Sequence, residues 1–181
     1  LKTENPAAVA KGCDNLKRHI ENVNKFGVPA VVAVNKFITD TEAEVQEVMK
    51  AAESMGTKAF MCTHWADGGA GTESLAHHVV KVIDEGKANF KMLYPDDMKL
   101  RDKVRTIATE IYRAADIACD ASVETQFKDL EAAGFGHLPV CMAKTQYSFS
   151  DDVSLRAAPE NFEITVNEIQ VAAGAGFVIP I

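Results

Sequence analysis

The sequence has a single tryptophan, no paired cysteines, no block of basic residues and no long apolar run. Each absence narrows what the chain can be. Its 19 Lys and Arg are scattered among 181 residues, the net charge is -7 and the pI is near 5.2. A phosphate backbone or an anionic bilayer attracts positive surface, so neither nucleic acid nor membrane is an expected partner. No stretch approaches the roughly 18 consecutive apolar residues of a membrane span, and no signal-peptide pattern opens the sequence. The cysteines Cys13, Cys62, Cys119 and Cys141 lie far apart without a C-x-x-C. That pattern suggests reduced thiols in a cytoplasmic protein rather than a disulfide scaffold.

Several site signatures are missing as well. There is no Gly-Lys-Ser or Gly-Lys-Thr and no G-x-G-x-x-G, so neither a Walker A loop nor a dinucleotide fingerprint is present. Asn35-Lys36 matches the first two positions of the guanine-reading Asn-Lys-x-Asp, but Ile38 stands where the aspartate belongs, which discounts guanine specificity. Cys62 with His64, and His77 with His78, are too few to complete a tetrahedral metal site, so no metal ligands are assigned. No nucleophilic triad follows from spacing, and the catalytic residues stay unassigned.

What is present reads as α/β. Asn5 can cap a helix opened by Pro6, with Val9, Cys13, Leu16, Ile20 and Val23 on one face and Gly27 at its end. Lys17, Arg18, His19 and Glu21 read as its solvated side. Val28 to Val34 is an unbroken valine-rich run, expected of a parallel strand buried on both faces. Thr41 and Glu44 fit a capping box opening a second helix, which carries Val45, Val48, Met49, Ala52 and Met55 inward and stops at Gly56. A second buried strand spans about residues 58–63. Because such crossovers are right-handed, the two strands should be parallel in one sheet. A glycine-rich turn, residues 66–72, then leads to a helix with Leu75, Val79, Val82 and Ile83 inward.

After a polar connection the pattern predicts a long helix over residues 99–115 and another over 122–133 closed by Gly134. A short buried strand at 138–143, a polar loop at 144–152 and an alternating stretch at 162–171, one strand or two, complete the pattern. The fold class is therefore α/β: a parallel β-α-β sheet followed by a smaller α+β region. The divisions fall at 1–86, 87–137 and 138–181. The sequence reads as an internal piece, because it lacks an initiator Met and stops inside the apolar run Gly176 to Ile181.

The candidate site lies where the strands end. Phe37 follows the first and Trp65 the second, so both should sit beyond strand carboxyl ends, where open α/β sheets bind ligands. Neighbouring strands run about 4.8 Å apart and strands separated by one other about 10 Å; rings leaning in from either arrangement can reach the roughly 7 Å at which a flat heterocycle such as a pterin or purine is sandwiched. Taken alone, Phe37 reads rather as core, because large apolar residues are usually buried. Trp65 leans toward the ligand because a polar glycine turn follows it. That turn has two readings, a tight turn needing positive φ or a cradle of amides for an anion.

The runs Asn15 to Phe37, Thr39-Asp-Thr-Glu-Ala-Glu44, Thr63-His-Trp-Ala-Asp-Gly-Gly-Ala-Gly71, Ile107-Ala-Thr-Glu-Ile-Tyr112, Leu138-Pro-Val-Cys-Met-Ala-Lys-Thr-Gln-Tyr-Ser148 and Gly174-Ala-Gly-Phe177 together resemble the formate–tetrahydrofolate ligases. The resemblance covers essentially the whole chain, in order. It implies a P-loop NTPase-like sheet and an enzyme that uses MgATP to phosphorylate formate and passes the formyl group from formyl phosphate to N10 of tetrahydrofolate. It also implies a cytoplasmic homotetramer activated by a monovalent cation, K+ or NH4+. Phe37 and Trp65 match the aromatics that stack the pterin-like ring. Asp67, Gly68, Gly69 and Gly71 match the adjacent glycine turn. Lys144, Thr145, Gln146 and Tyr147 match a signature without assigned individual roles.

This sequence departs from the family in lacking the Gly-Lys-Thr-Thr phosphate loop and the Met-Pro-Gly-Leu-Pro segment. Arg113 also replaces the glycine usual after Ile-Tyr, which puts that turn in doubt. These residues alone are therefore expected to be inactive, and the alternative is a non-catalytic folate- or nucleotide-binding module.

Overall fold

The structure, a computed structural model, describes residues 3–181. It divides into two compact units, Leu1–Lys91 and Met92–Ile181, and its elements are those of a mixed α/β protein.

In the first unit, α1 (Pro6–Lys25) begins where Asn5 Oδ1 accepts from the Ala8 N–H at 3.0 Å. It ends at Gly27, whose φ of 71° only glycine adopts without strain. A Cβ at Gly27 would also run into the Asn89 carbonyl, where residues 87–91 fold back. Strand β1 (Val32–Asn35) pairs in parallel with β2 (Ala59–Cys62) in the register Val32↔Ala59 to Asn35↔Cys62. Between them runs α2 (Glu42–Ser54), opened by the reciprocal capping box of Thr41 and Glu44. Glu44 also accepts from the Asn5 N–H at 2.9 Å, joining the starts of α1 and α2. Those N–H bonds, Asn5 first and then Thr41, hold the Glu44 carboxyl below the usual range. Ile20, Val32, Ala52 and Ala59 form the core, with Leu16, Val34, Met49 and Met55 against it.

Several expectations for this unit need correction. Val23 is exposed rather than inward, and β1 has one buried residue in four rather than two buried faces. Arg18 is not on a solvated side: it and Asn22 are buried, one helical turn apart. Arg18 ion-pairs with Glu21, Nε to Oε2, at 3.6 Å. An arginine stem is apolar enough to be covered while its head keeps a partner. The helix after the glycine turn is a further case. It is α4 (Glu73–Asp84), preceded by the short α3 (His64–Asp67) and a 3-10 turn (Gly68–Thr72). Its half-buried residues include Leu75, His78 and Val82, while Val79 and Ile83 are exposed. The His78 ring packs on Phe60 of β2 at 4.9 Å. A histidine contact thus rotates the helix away from the aliphatic stripe that spacing alone selects.

In the second unit α5 (Leu100–Glu110) stops short of the predicted end, and residues after it form an unpredicted strand, β3 (Asp116–Cys119). The turn between them runs through Arg113 at φ 61°. The left-handed conformation that a glycine takes freely is thus kept by arginine. β3 pairs in parallel with β4 (Glu163–Val166), and β5 (Ile169–Ala172) pairs antiparallel with β6 (Phe177–Pro180). The alternating stretch is therefore two strands. The run 138–143 lies along β6 through a parallel bridge, Val140↔Val178, with Cys141 N–H to Val178 C=O at 2.9 Å and Ala143 N–H to Pro180 C=O at 3.0 Å. Leu100, Val104, Ile117, Val123, Phe127 and Val178 are central to the core.

Helix α6 (Ala121–Ala132) is capped by Asp120, which accepts from Ser122 N–H at 2.8 Å and Val123 N–H at 2.9 Å. The Val123 bond, then Ser122, lowers the Asp120 pKa from 3.8. With the folded pKa below the unfolded one, the cap's contribution is fully present above about pH 4 and is lost as pH falls through the folded pKa. Urea unfolding at pH 7 and pH 3 should therefore differ more for the wild type than for Asp120→Ala. An equal acid sensitivity would remove Asp120 from the acid response.

Candidate functional site

The first unit presents both candidate rings to solvent. Phe37 lies two residues beyond Asn35 and Trp65 three beyond Cys62, and those strand ends are paired. The ladder runs one bond further, from Lys36 N–H to Cys62 C=O at 3.0 Å. Phe37 is 67% exposed and Trp65 86%. Neither ring contributes to the described core.

Each ring stands on a short segment, the loop after β1 for Phe37 and α3 for Trp65, tied down by an aspartate. The Phe37 N–H donates to Asp40 Oδ2 at 2.8 Å, and the Asp40 N–H returns to the Phe37 carbonyl at 3.1 Å. This reciprocal pair fixes the backbone under Phe37. Beneath Trp65, Thr63 Oγ1 donates to Asp67 Oδ2 at 2.7 Å, and the Asp67 N–H donates to the Thr63 carbonyl at 2.9 Å. Asp67 thus belongs to the scaffold of the Trp65 turn. Asp40 and Thr63 were not singled out from the sequence. The signal for Asp40 was available, since an aspartate in the loop after a strand commonly accepts from a backbone N–H a few residues before it.

The glycines after Trp65 have local structural work. Gly68 sits at φ 59°. Gly71 passes so close to the chain before Trp65 that an added Cβ would meet His64 N and Thr63 C at 2.6 Å. Its carbonyl accepts from the Thr63 N–H at 3.1 Å, and the Glu73 N–H closes on the Ala70 carbonyl. The turn is thus folded upon itself against the start of α3. Gly69 has open space around it.

Beside Phe37 lies a cleft of ≈ 1020 Å³, lined by Val9, Val34, Phe37, Asp40, Thr41 and Val45 among others. Its lining combines valines and Phe37 with threonines and carboxylates, the mixture of apolar and polar groups that ligand clefts carry. Trp65 and the glycine turn do not line it. Lys144, Thr145, Gln146 and Tyr147 belong to the second unit. The first three of these line a separate pocket there, while Tyr147 does not. Among the described residues no three His, Cys, Asp or Glu side chains converge as metal ligands would.

Comparison with known proteins agrees along the full length. The family model for formate–tetrahydrofolate ligase matches residues 1–181. A formate–tetrahydrofolate ligase of Granulibacter bethesdensis is 57% identical over 181 residues, covering 100% of this chain and 32% of the relative. Those of Maricaulis maris and Sinorhizobium fredii are 53% and 51% identical, again over the whole chain and 33% and 32% of the relatives. The chain spans about a third of the length of the curated relatives it matches. With a family match from end to end and over half its residues identical to each of these relatives, the chain belongs to the formate–tetrahydrofolate ligase family.

Proposed function

We propose that the whole protein is an ATP-dependent formate–tetrahydrofolate ligase and that residues 1–181 carry its folate slot. The observation that carries this reading is the placement of Phe37 and Trp65, both exposed, just past the paired carboxyl ends of two parallel strands. A pterin-like ring lying between them would gain stacking on both faces, and the Asp40 and Asp67 turns would hold the two walls in place before binding. Relatives at this level of identity bear the same enzyme name.

The reaction follows from the two substrates. A formate oxygen attacks the γ-phosphorus of ATP, releasing ADP and leaving formyl phosphate. N10 of tetrahydrofolate then attacks the formyl carbon, the C–O bond to phosphate breaks, the N10 proton leaves with the released phosphate, and 10-formyltetrahydrofolate remains. The first step depends on positioned backbone amides, a lysine and Mg2+ around the phosphates. Residues 1–181 contain no Gly-Lys-Thr or Gly-Lys-Ser to supply them. The parallel pair of the first unit is, on this reading, part of a larger P-loop NTPase-like sheet. Residues 1–86 carry the slot, 87–137 form a largely helical connection, and 138–181 begin a C-terminal region. Lys144 to Tyr147 form a family signature loop, the whole enzyme is a cytoplasmic homotetramer, and a monovalent cation, K+ or NH4+, activates it.

The test has two arms. The whole enzyme should form 10-formyltetrahydrofolate from ATP, formate and tetrahydrofolate, and the isolated 181 residues should not; turnover by the latter overturns the assignment of the phosphate site elsewhere. In the whole enzyme, Trp65→Ala should weaken tetrahydrofolate binding by about 1–3 kcal/mol, roughly 5- to 150-fold, as loss of aromatic stacking on a base does. An unchanged Michaelis constant for tetrahydrofolate would contradict the slot.

A further inference from the structure

Lys144, Thr145 and Gln146 of the signature loop contribute to one wall of a pocket of ≈ 390 Å³ in the second unit. That volume lies within the range of small-molecule sites. Three aromatic rings line the pocket, those of Tyr112, Phe149 and Phe162, together with Thr145, Gln146 and Ser150.

Each of the three rings sits next to a non-glycine residue in the left-handed region. Arg113 (φ 61°) follows Tyr112, Ser148 (φ 71°) precedes Phe149, and Asn161 (φ 59°) precedes Phe162. Asparagine visits this conformation comparatively readily, but arginine and serine hold it mainly where the surroundings impose it, and such strained positions gather at ligand clamps and active sites. The strained turns are also held together. The Asn161 N–H donates to the Arg113 carbonyl at 2.9 Å, and the Ala115 N–H to the Phe162 carbonyl at 2.8 Å. Tyr112 and Phe149 meet edge to face at 5.9 Å and 88°, so the aromatic wall is preformed.

The polar groups of the pocket point to a ligand that both donates and accepts. Thr145 Oγ1 is shut off from solvent without a hydrogen-bond partner, a state that costs stability until something pairs with it. Ser150 is buried, and its Oγ already accepts from the Asp152 N–H at 3.0 Å, which leaves its own proton to donate. Burial pushes the Tyr112 phenol up, so it remains a donor at neutral pH.

Charge then decides the class. The lysine and carboxylate side chains around the pocket are Lys144, Asp151 and Glu163, all exposed. One cation against two carboxylates disfavours phosphates and carboxylates as ligands. We propose that this pocket binds an uncharged, planar heteroaromatic molecule with an amide- or amidine-type edge, its ring against the aromatic wall and its edge bonded to Thr145 and Gln146.

Nicotinamide is a suitable probe, because it is flat, neutral and carries one amide. Titrated at millimolar concentrations into the ¹⁵N-labelled 181-residue chain, it should move amide signals of residues 144–150 and 162–166 saturably. Thr145→Val, nearly the same shape without the hydroxyl, should weaken that binding about tenfold with the remaining spectrum unchanged. Should that variant not fold, Gln146→Ala at an exposed position takes its place. Nicotinate, the same ring with a carboxylate, and cyclohexanecarboxamide, the same amide without a flat ring, should each bind about tenfold more weakly. Absence of saturable shifts, shifts insensitive to the loop substitution, or nicotinate binding as tightly as nicotinamide would each overturn the proposal.

Discussion

Lys103→Met is expected to lower the unfolding free energy of the second unit by about 3 kcal/mol. Lys103 lies inside α5 and is fully buried. Its ammonium donates to the carbonyls of Asp96 at 2.7 Å, Gly136 at 2.9 Å and Leu138 at 3.1 Å. A lysine carries three protons and here spends them on three acceptors from two separate loops. Tyr94 stands beside it, with its ring centroid 5.8 Å from the ammonium and its hydroxyl accepting from the Val140 N–H at 3.0 Å.

Methionine keeps the stem and its packing but removes all three bonds. Hydrogen bonds to a charged group contribute about 1.5–3 kcal/mol each, and relief from burying the ammonium offsets part of their loss. Burial pushes the Lys103 pKa down, while Asp96, Asp97 and Glu131 act the other way. Urea unfolding of the 181-residue chain at neutral pH would measure the effect. A change below about 0.5 kcal/mol, the usual scale of a surface substitution, would mean that the three carbonyls find equivalent partners in water.

Gly71→Ala is expected to be comparably disruptive, at about 3 kcal/mol, the upper end of overpacking. The new methyl would meet Thr63 C and His64 N at 2.6 Å and Thr63 Oγ1 at 2.7 Å. Two of those atoms are backbone and cannot swing aside. The chain just before Trp65 must therefore move, and with it the Thr63–Asp67 bond. Gly69→Ala serves as the control, since a Cβ there meets nothing within 4 Å. Thermal unfolding together with the Trp65 emission maximum separates the cases. Loss of stability and an altered emission for Gly71→Ala alone are expected; equal behaviour of the two variants would deny Gly71 its role in placing Trp65.

Local chemistry made part of this fold readable in advance. Asn5, Pro6, Thr41 and Glu44 announce two helix starts because capping is settled within four residues. The parallel pairing of β1 and β2 follows from a valine run, a helix and a second apolar run, since right-handed crossover permits little else. The rest failed where distant partners decide. Strand β3 reads Asp-Ile-Ala-Cys, with one β-branched residue, and exists because β4 pairs with it from 47 positions further on. Helix α4 turns toward Phe60 through His78, a contact no periodicity encodes. Arg18 is buried although its type is usually exposed.

The site shows the same division. The placement of Phe37 and Trp65 just past two paired strand ends was legible because strand ends are legible. The Asp40 and Thr63–Asp67 braces were within reach of turn chemistry. The pocket of Tyr112, Phe149 and Phe162 was not, because it gathers three segments through left-handed turns at Arg113, Ser148 and Asn161, where no glycine marks them.

The most direct measurement of the proposed folate slot uses the chain's only tryptophan. All tryptophan emission comes from Trp65, which is exposed and free to report a stacked ring. Titration of the 181-residue chain with 5-formyltetrahydrofolate, corrected for ligand absorption, should quench that emission saturably. Phe37→Ala should weaken the interaction by about 1–3 kcal/mol, and ATP should leave the emission unchanged. Quenching that never saturates, or that is the same without the Phe37 ring, would contradict a slot made by these two residues.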